Sequence, residues 1–184
     1  GMKWISEGGL NVANSEGMAS VEISVNKCNY LWDVLKLIPM TLNEESMELE
    51  PVNDDSFKDV IFSQKENIFV SNSQIMPNVV INAQNGPVII DENTLIGSQS
   101  YIEGPVYIGP KTVISPLTKI KNSVIGPSCK IGGEIESSII QGFTNKVHDG
   151  HLGDSFIGEW VNFGAGTTNS NLNNNYSTVK VSFR

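Results

Sequence analysis

The stretch Ile90-Asp-Glu-Asn-Thr-Leu-Ile96-Gly-Ser-Gln-Ser-Tyr-Ile102-Glu-Gly-Pro-Val-Tyr-Ile108-Gly-Pro-Lys-Thr-Val-Ile114-Ser-Pro-Leu-Thr-Lys-Ile120 places an isoleucine at every sixth residue. After a slip of one residue the series resumes at Ile125 and Ile131. Four places after each isoleucine stands a small or β-branched residue: Thr94, Ser100, Val106, Thr112, Thr118, Val124, Cys129 and Ile135. Gly97, Gly109, Gly126 and Gly132 directly follow four of the isoleucines. A six-residue period this strict predicts an all-β chain wound as a parallel β-helix, in which each coil buries its face only against neighbouring coils. The large aliphatic fills the core, the small residue fits a narrower part of the interior, and the glycines are expected to supply unusual backbone angles. At roughly eighteen residues per coil, the repeat tract makes about six coils.

Working outward, Ile68, Val70 and the run Val79 to Ile81 are early inward candidates, and Gly86-Pro87 marks a turn before the strict repeat. Two domains are expected: a solenoid over 61–184 and an appendage over 1–60 holding a strand, a short helix and an acidic linker. Val21, Ile23 and Val25 alternate as in a strand. Leu31, Val34, Leu35 and Ile38 have helical spacing, with Asn29 as the expected cap and Pro39 as the expected end. The acids Glu44, Glu45, Glu48, Glu50, Asp54, Asp55 and Asp59 follow as a solvated linker.

The chain has 184 residues, a formal net charge of −8, and only 17% charged residues. Asn, Ser, Thr and Gly at solenoid corners do the work that surface charges do elsewhere. The negative balance argues against nucleic acid or an anionic membrane as a partner. Cys28 and Cys129 are too few for a disulfide framework, and Cys129 falls in an inward slot. No apolar run approaches membrane-spanning length, no secretory signal opens the chain, and Gly1 before Met2 reads as an expression scar. The expected location is the cytoplasm.

The hexads break off after Ile139-Ile140, at Gln141-Gly-Phe-Thr-Asn-Lys-Val-His-Asp-Gly-His151, and restart at Leu152, Ile157 and Phe163. Such an interruption is expected to leave the solenoid as a loop, and loops of this kind carry function. Both histidines of the chain, His148 and His151, lie in it beside Lys146 and Asp149. An imidazole is the usual general base for taking a proton from an amine or hydroxyl near neutral pH, and Asp149 is a candidate to orient it. The Asn-rich run Asn169 to Asn175 is a polar loop by composition, with donors and acceptors suited to a ligand. Gly164-Ala-Gly166 sits inside a hexad and opens no helix, so it is not a nucleotide-binding loop. A zinc site of three histidines is not met by two, and no metal is expected.

The segment Lys146-Val-His-Asp-Gly-His-Leu-Gly-Asp-Ser-Phe-Ile-Gly-Glu-Trp-Val-Asn-Phe-Gly-Ala-Gly-Thr-Thr-Asn-Ser-Asn-Leu172 resembles the acetyltransferase half of the bifunctional sugar-1-phosphate acetyltransferase/nucleotidyltransferases. The likeness is closest to the archaeal and Bacteroidetes types. It runs from about Ile61 to Val181, including Thr178-Val-Lys-Val181, and Tyr30-Leu-Trp-Asp33 resembles the family's inter-domain helix. The resemblance implies a left-handed β-helix, a homotrimer with sites between subunits, and acetyl-CoA as co-substrate. It implies His148 as general base, with His151 and Asn162 at the substrate; Asp149 and Lys146, beside the histidines, are further substrate candidates. Ala165, Gly166, Asn171 and Lys180 would line acetyl-CoA.

Two departures bear on the acceptor. The family's Arg-Pro phosphate anchor reads Ser115-Pro116 here, and a phosphate-contacting lysine is replaced by Glu136, in Glu134-Ile-Glu136. A charge-assisted contact contributes about 1.5–3 kcal/mol, so phosphate binding should weaken strongly. The sixty residues ahead of the solenoid are too few for a nucleotidyltransferase domain, and its glycine-rich opening is missing. The expected function is therefore acetyl transfer to a sugar-phosphate-like amino or hydroxyl acceptor. The alternative is a non-catalytic trimerising or regulatory β-helix of a sugar nucleotidyltransferase system.

Overall fold

The computed structural model describes residues 26–53, 57–169, 175 and 177. The strand expected at Val21 to Val25 lies outside the described residues, as do Asn171, Lys180 and the Thr178–Val181 segment. From Ile61 the chain winds into a parallel β-solenoid with three faces. The first face carries six rungs: Ile61–Ser63, Val80–Asn82, the start of Tyr101–Ile108, the start of Lys119–Ile125, Glu134–Glu136 and His151–Gly153. About five full turns therefore separate its first rung from its last. The second face stacks Ile68–Val70, Val88–Ile90, the ends of the two long strands, Ile139–Ile140 and Phe156–Ile157. The third stacks Gln74–Ile75, Leu95–Ile96, Val113–Ile114, Lys130–Ile131 and Asn145–Lys146, with a parallel bridge from Asn145 to Asn162.

The isoleucine ladder forms the core as the period requires. Ile90, Ile96, Ile102, Ile108, Ile114, Ile120, Ile125, Ile131 and Ile135 are all buried, and Ile68, Val79 and Ile81 extend the column toward the N-terminus. Each such side chain contributes about 1.5–3 kcal/mol by leaving water. The small positions Thr94, Ser100, Thr112, Thr118 and Cys129 are buried with them. Their hydroxyls donate to corner carbonyls, as Thr94 Oγ1 does to Gly109 O at 3.1 Å and Thr112 Oγ1 to Gly126 O at 3.0 Å. Burial pushes the Cys129 thiol up, keeping it protonated.

The glycines after the isoleucines serve a different purpose from the one expected. Gly97, Gly109, Gly126 and Gly132 do not have positive φ. A Cβ at Gly126 would come within 1.8 Å of Gln141 O, and one at Gly132 within 2.1 Å of Val147 O. They are glycine because the next rung passes too close for a side chain. The left-handed angles fall instead on Asn78, Gln99 and Leu117 at one corner, and on Asn93, Lys111, Ser128, Phe143 and Trp160 at another.

Residues 31–46 pack along the second face. The run Leu31–Leu37 is a 3-10 helix, and α1 (Ile38–Ser46) follows it. Pro39 thus starts the α-helix and does not end one, since its missing N–H and fixed φ suit a first turn. Asn29 is not the cap: the Asp33 carboxylate accepts from the backbone N–H of Asn29 at 3.0 Å and of Tyr30 at 3.1 Å. Those bonds hold the carboxyl below its usual range. Ile38 and Leu42 bury against Phe69 and Ile89, with Tyr107, Val124 and Ile139 at the margin. Tyr107 donates to Asp91 Oδ2 at 3.0 Å, and burial followed by that bond pushes its pKa up to about 12.

Candidate functional site

The corner joining the third face to the first decides what the last coils can do. In the regular coils four residues span it, Gly97 to Ser100 and Ser115 to Thr118. Ser100 and Thr118, the last of each four, are buried and both donate to Ser115 O, at 3.1 and 2.6 Å. One coil on, the corner shrinks to Gly132-Gly133, between Ile131 and Glu134. One coil further, it returns to four residues, Val147, His148, Asp149 and Gly150.

The expected loop therefore does not leave the solenoid. Asn145–Lys146 and His151–Gly153 are ordinary rungs, with Lys146 paired to Ile131 and Leu152 to Ile135. The inward series runs Ile140, Lys146, Leu152 without a gap, and Lys146 occupies an isoleucine slot. A lysine there hides the period from a count of aliphatics. The true irregularity is the clipped Gly132-Gly133 corner beneath.

Lys146 is 2% exposed, and its Nζ donates to Gly132 O at 2.8 Å, Gly150 O at 2.9 Å and His148 O at 3.2 Å. Burial draws its pKa below the usual lysine range, and the nearby Asp149 carboxylate offsets part of that. The ammonium is thus directed into the corner interior.

His148 projects from the opposite side of the same corner and is exposed, as is Asp149. Among the described residues no hydrogen bond joins the two side chains, so Asp149 acts on Lys146 by charge and does not orient the imidazole. The turn Gly164–Thr167 passes over this corner, and a Cβ at Gly150 would meet Thr167 O at 2.2 Å. Ala165 and Gly166 lie in that turn and are exposed, with Gly166 at φ 73 facing open space. Thr167 closes the turn through its N–H and hydroxyl to Gly164 O, at 3.2 and 2.7 Å.

His151 lies on the first face, its Nδ1 3.9 Å from Glu134 Oε2. It overlooks a shallow depression of about 180 Å³ lined by Tyr101, Lys119, Lys121, Glu134 and Glu136. Lys119 pairs with Glu134 at 2.7 Å, and Lys121 lies 3.5 Å from Glu103 and 4.0 Å from Glu136. Hydrogen bonding to Lys119 and its charge hold the Glu134 carboxyl down. Burial raises Glu103, but bonds from Asn85, Tyr101 and Lys121 together bring it below the usual range. The face that carries Glu136 is therefore not without cations, because Lys119 and Lys121 stand one rung below it. Asn162 sits apart on the third face, accepting from Asn145 Nδ2 at 2.9 Å.

Sequence reasoning missed three features. Phe143 and Trp160 stack at an exposed corner, with centroids 4.7 Å apart and planes 7° apart. Both stand in the left-handed column otherwise held by Asn93, Lys111 and Ser128. Asn169, grouped with the Asn-rich loop, completes the first face: its side-chain amide accepts from Gly153 N–H and donates to Gly153 O. A larger groove of about 510 Å³ runs beside α1, lined by Leu42, Leu49, Phe69, Ile89 and Tyr107. It lies on the second face, away from the histidines.

Over the described residues the solenoid is thus a hexapeptide-repeat β-helix, which fits a left-handed β-helix. No family model matches the chain. Over 120 residues, 61% of its length, it is 40% identical to a bifunctional sugar-1-phosphate nucleotidylyltransferase/acetyltransferase of Sulfurisphaera tokodaii. It is 34% identical over 103 residues to the bifunctional protein GlmU of a Picosynechococcus species, and 37% over 86 residues to that of Thermodesulfovibrio yellowstonii. These segments cover 51% and 45% of this chain. The chain spans 29%, 23% and 19% of these three relatives' own lengths. The matched segments cover about half of this chain and correspond to the C-terminal acetyltransferase part of these relatives. Among the described residues no helix is long and apolar enough to cross a membrane.

Proposed function

We propose that the solenoid is an acyltransferase that moves an acetyl group from acetyl-CoA to an amine or hydroxyl of a sugar-phosphate-like acceptor. The observation that carries this reading is the exposed His148 corner lying directly beneath the open Gly164–Thr167 turn, in a homologue of acetyltransferase domains. His148 takes the proton from the attacking N–H or O–H as the acceptor bonds to the thioester carbonyl carbon. The C–S bond breaks, and the proton passes from the imidazolium to the departing thiolate. Backbone N–H groups near Gly164 to Gly166 stabilise charge on the carbonyl oxygen. Ala165, Gly166, Asn171 and Lys180 would line the coenzyme and His151 the acceptor, with Asn162 reaching the acceptor from another subunit of the trimer. A left-handed, trimeric, cytoplasmic protein is part of the proposal, since acetyl-CoA is supplied there and a partner coil would close the corner.

The acceptor depression holds two cations and three carboxylates within reach, counting Glu103. A ligand there meets lysines already engaged by glutamates, which supports an amino sugar bearing fewer or weaker anionic groups than glucosamine-1-phosphate. The test is acetyl-CoA consumption with glucosamine-1-phosphate, glucosamine and a panel of amino sugars. Turnover with at least one acceptor is expected, and no turnover with any would sink the reading.

Glu136 favours a second reading, in which the solenoid is a trimerising or regulatory unit of a sugar nucleotidyltransferase system. Calorimetry with coenzyme A separates the two, since a pure scaffold gives no binding heat.

A further inference from the structure

We propose that Lys146 is a positioning residue for His148, a role that rests on the acyl-transfer reading for its consequence but not for its structural test. In the regular coils the corner interior is filled by the side chain just before the first-face strand. Ser100 and Thr118 do this, and their hydroxyls satisfy Ser115 O. At the equivalent places in the next two coils stand Gly133 and Gly150, which have no side chain. Two consecutive coils therefore lack the side chain that fills this corner.

The Lys146 side chain takes that space from the neighbouring core slot. Its three N–H donors meet three carbonyls, those of Gly132, His148 and Gly150, so the ammonium has no donor left over. The fit excludes other fillers: a Cβ on Gly133 would come 3.0 Å from Nζ and 2.6 Å from Gly150 O. Gly133 and Gly150 have φ of 77 and 126, so both corners already adopt angles that disfavour side chains. An apolar side chain of equal length would fill the volume and leave inward carbonyls unsatisfied.

The consequence is directional. Lys146 binds the carbonyl of His148 itself and that of Gly150 two residues on, which fixes the intervening peptide planes. The His148 carbonyl is held inward and its side chain is exposed. Lys146 also ties the corner to Gly132 in the coil below, so its position is set by two rungs.

The test uses the full chain with Lys146→Met, which keeps the stem, and Lys146→Gln, which keeps two donors. The Glu134 amide donates to Gly150 O at 3.1 Å, and the Tyr101 amide donates to Thr118 O at 2.9 Å in a regular corner. Hydrogen exchange at Glu134 should speed up tenfold or more in Lys146→Met and less in Lys146→Gln, with Tyr101 unchanged. The His148 imidazole NMR signals should broaden or shift in step. In an active protein, kcat should fall tenfold or more while the KM for the acyl donor stays within twofold. Equal speeding at Glu134 and Tyr101, or no change at Glu134, would overturn the proposal and leave Lys146 as core filler. If Lys146→Met does not fold, Lys146→Gln decides by the same comparison. An inactive wild type would count against acyl transfer and leave the exchange result standing.

Discussion

The same corner of the solenoid is built in two ways, and the contrast separates scaffold from site. Around Ile96 and Ile114 four residues span it, a hydroxyl side chain fills it, and neither corner holds a histidine. Around Ile131 and Lys146 it is first clipped to two glycines and then restored with His148 at its outer edge. Its interior is filled by an ammonium reaching across from the core. Here the repeat's own filler is removed in two coils, and the polar group replacing it holds the corner in one arrangement.

Four substitutions test this contrast. The largest effect is expected in the regular region, where Ile102→Ala removes a fully buried side chain from the middle of the column. The loss should be about 2–5 kcal/mol. A urea midpoint unchanged from wild type would mean that the ladder is not the source of stability. Next comes Gly133→Ala in the clipped corner, where φ is 77 and the new Cβ would lie 2.6 Å from Gly150 O. It should cost about 1–3 kcal/mol and loosen the His148 corner more than the Tyr101 corner, as read by site-resolved hydrogen exchange.

Thr118→Ala, which loses the 2.6 Å bond to Ser115 O, should cost about 0.5–1.5 kcal/mol. Thermal unfolding checks it, together with an acetyl-transfer rate that should stay at the wild-type level. The smallest effect is expected from the exposed ladder on the first face. Glu134 has a folded pKa below its ordinary value, so its contribution is present above that value, about 4.5, and disappears as pH falls through the folded one. The pair is half exposed, so Glu134→Gln should cost under about 1 kcal/mol. The difference from wild type in melting temperature should vanish in acid.

The column from Ile90 to Ile131 was legible in the sequence because an identical residue at fixed spacing has one geometric explanation. The histidine segment was legible as unusual, but its form was not. A lysine in an isoleucine slot reads as the end of a repeat when only aliphatics are counted. The burial and triple bonding of Lys146 come from corners that the period does not describe. The glycines were legible as necessary, but close approach of the next rung, not a left-handed angle, is the cause. The Phe143–Trp160 stack was hidden because nothing local marks an aromatic for a left-handed corner. Glu136 was visible in the sequence, while Lys119 and Lys121 on the same face needed the register to be seen.

The most direct measurement is single-turnover acetyl transfer at fixed pH, with an acceptor verified for the wild type, in wild type and His148→Ala. In His148→Ala the rate should fall by about 100-fold or more. A His148→Ala protein that keeps the wild-type rate would contradict the assignment of this corner as the site of proton transfer.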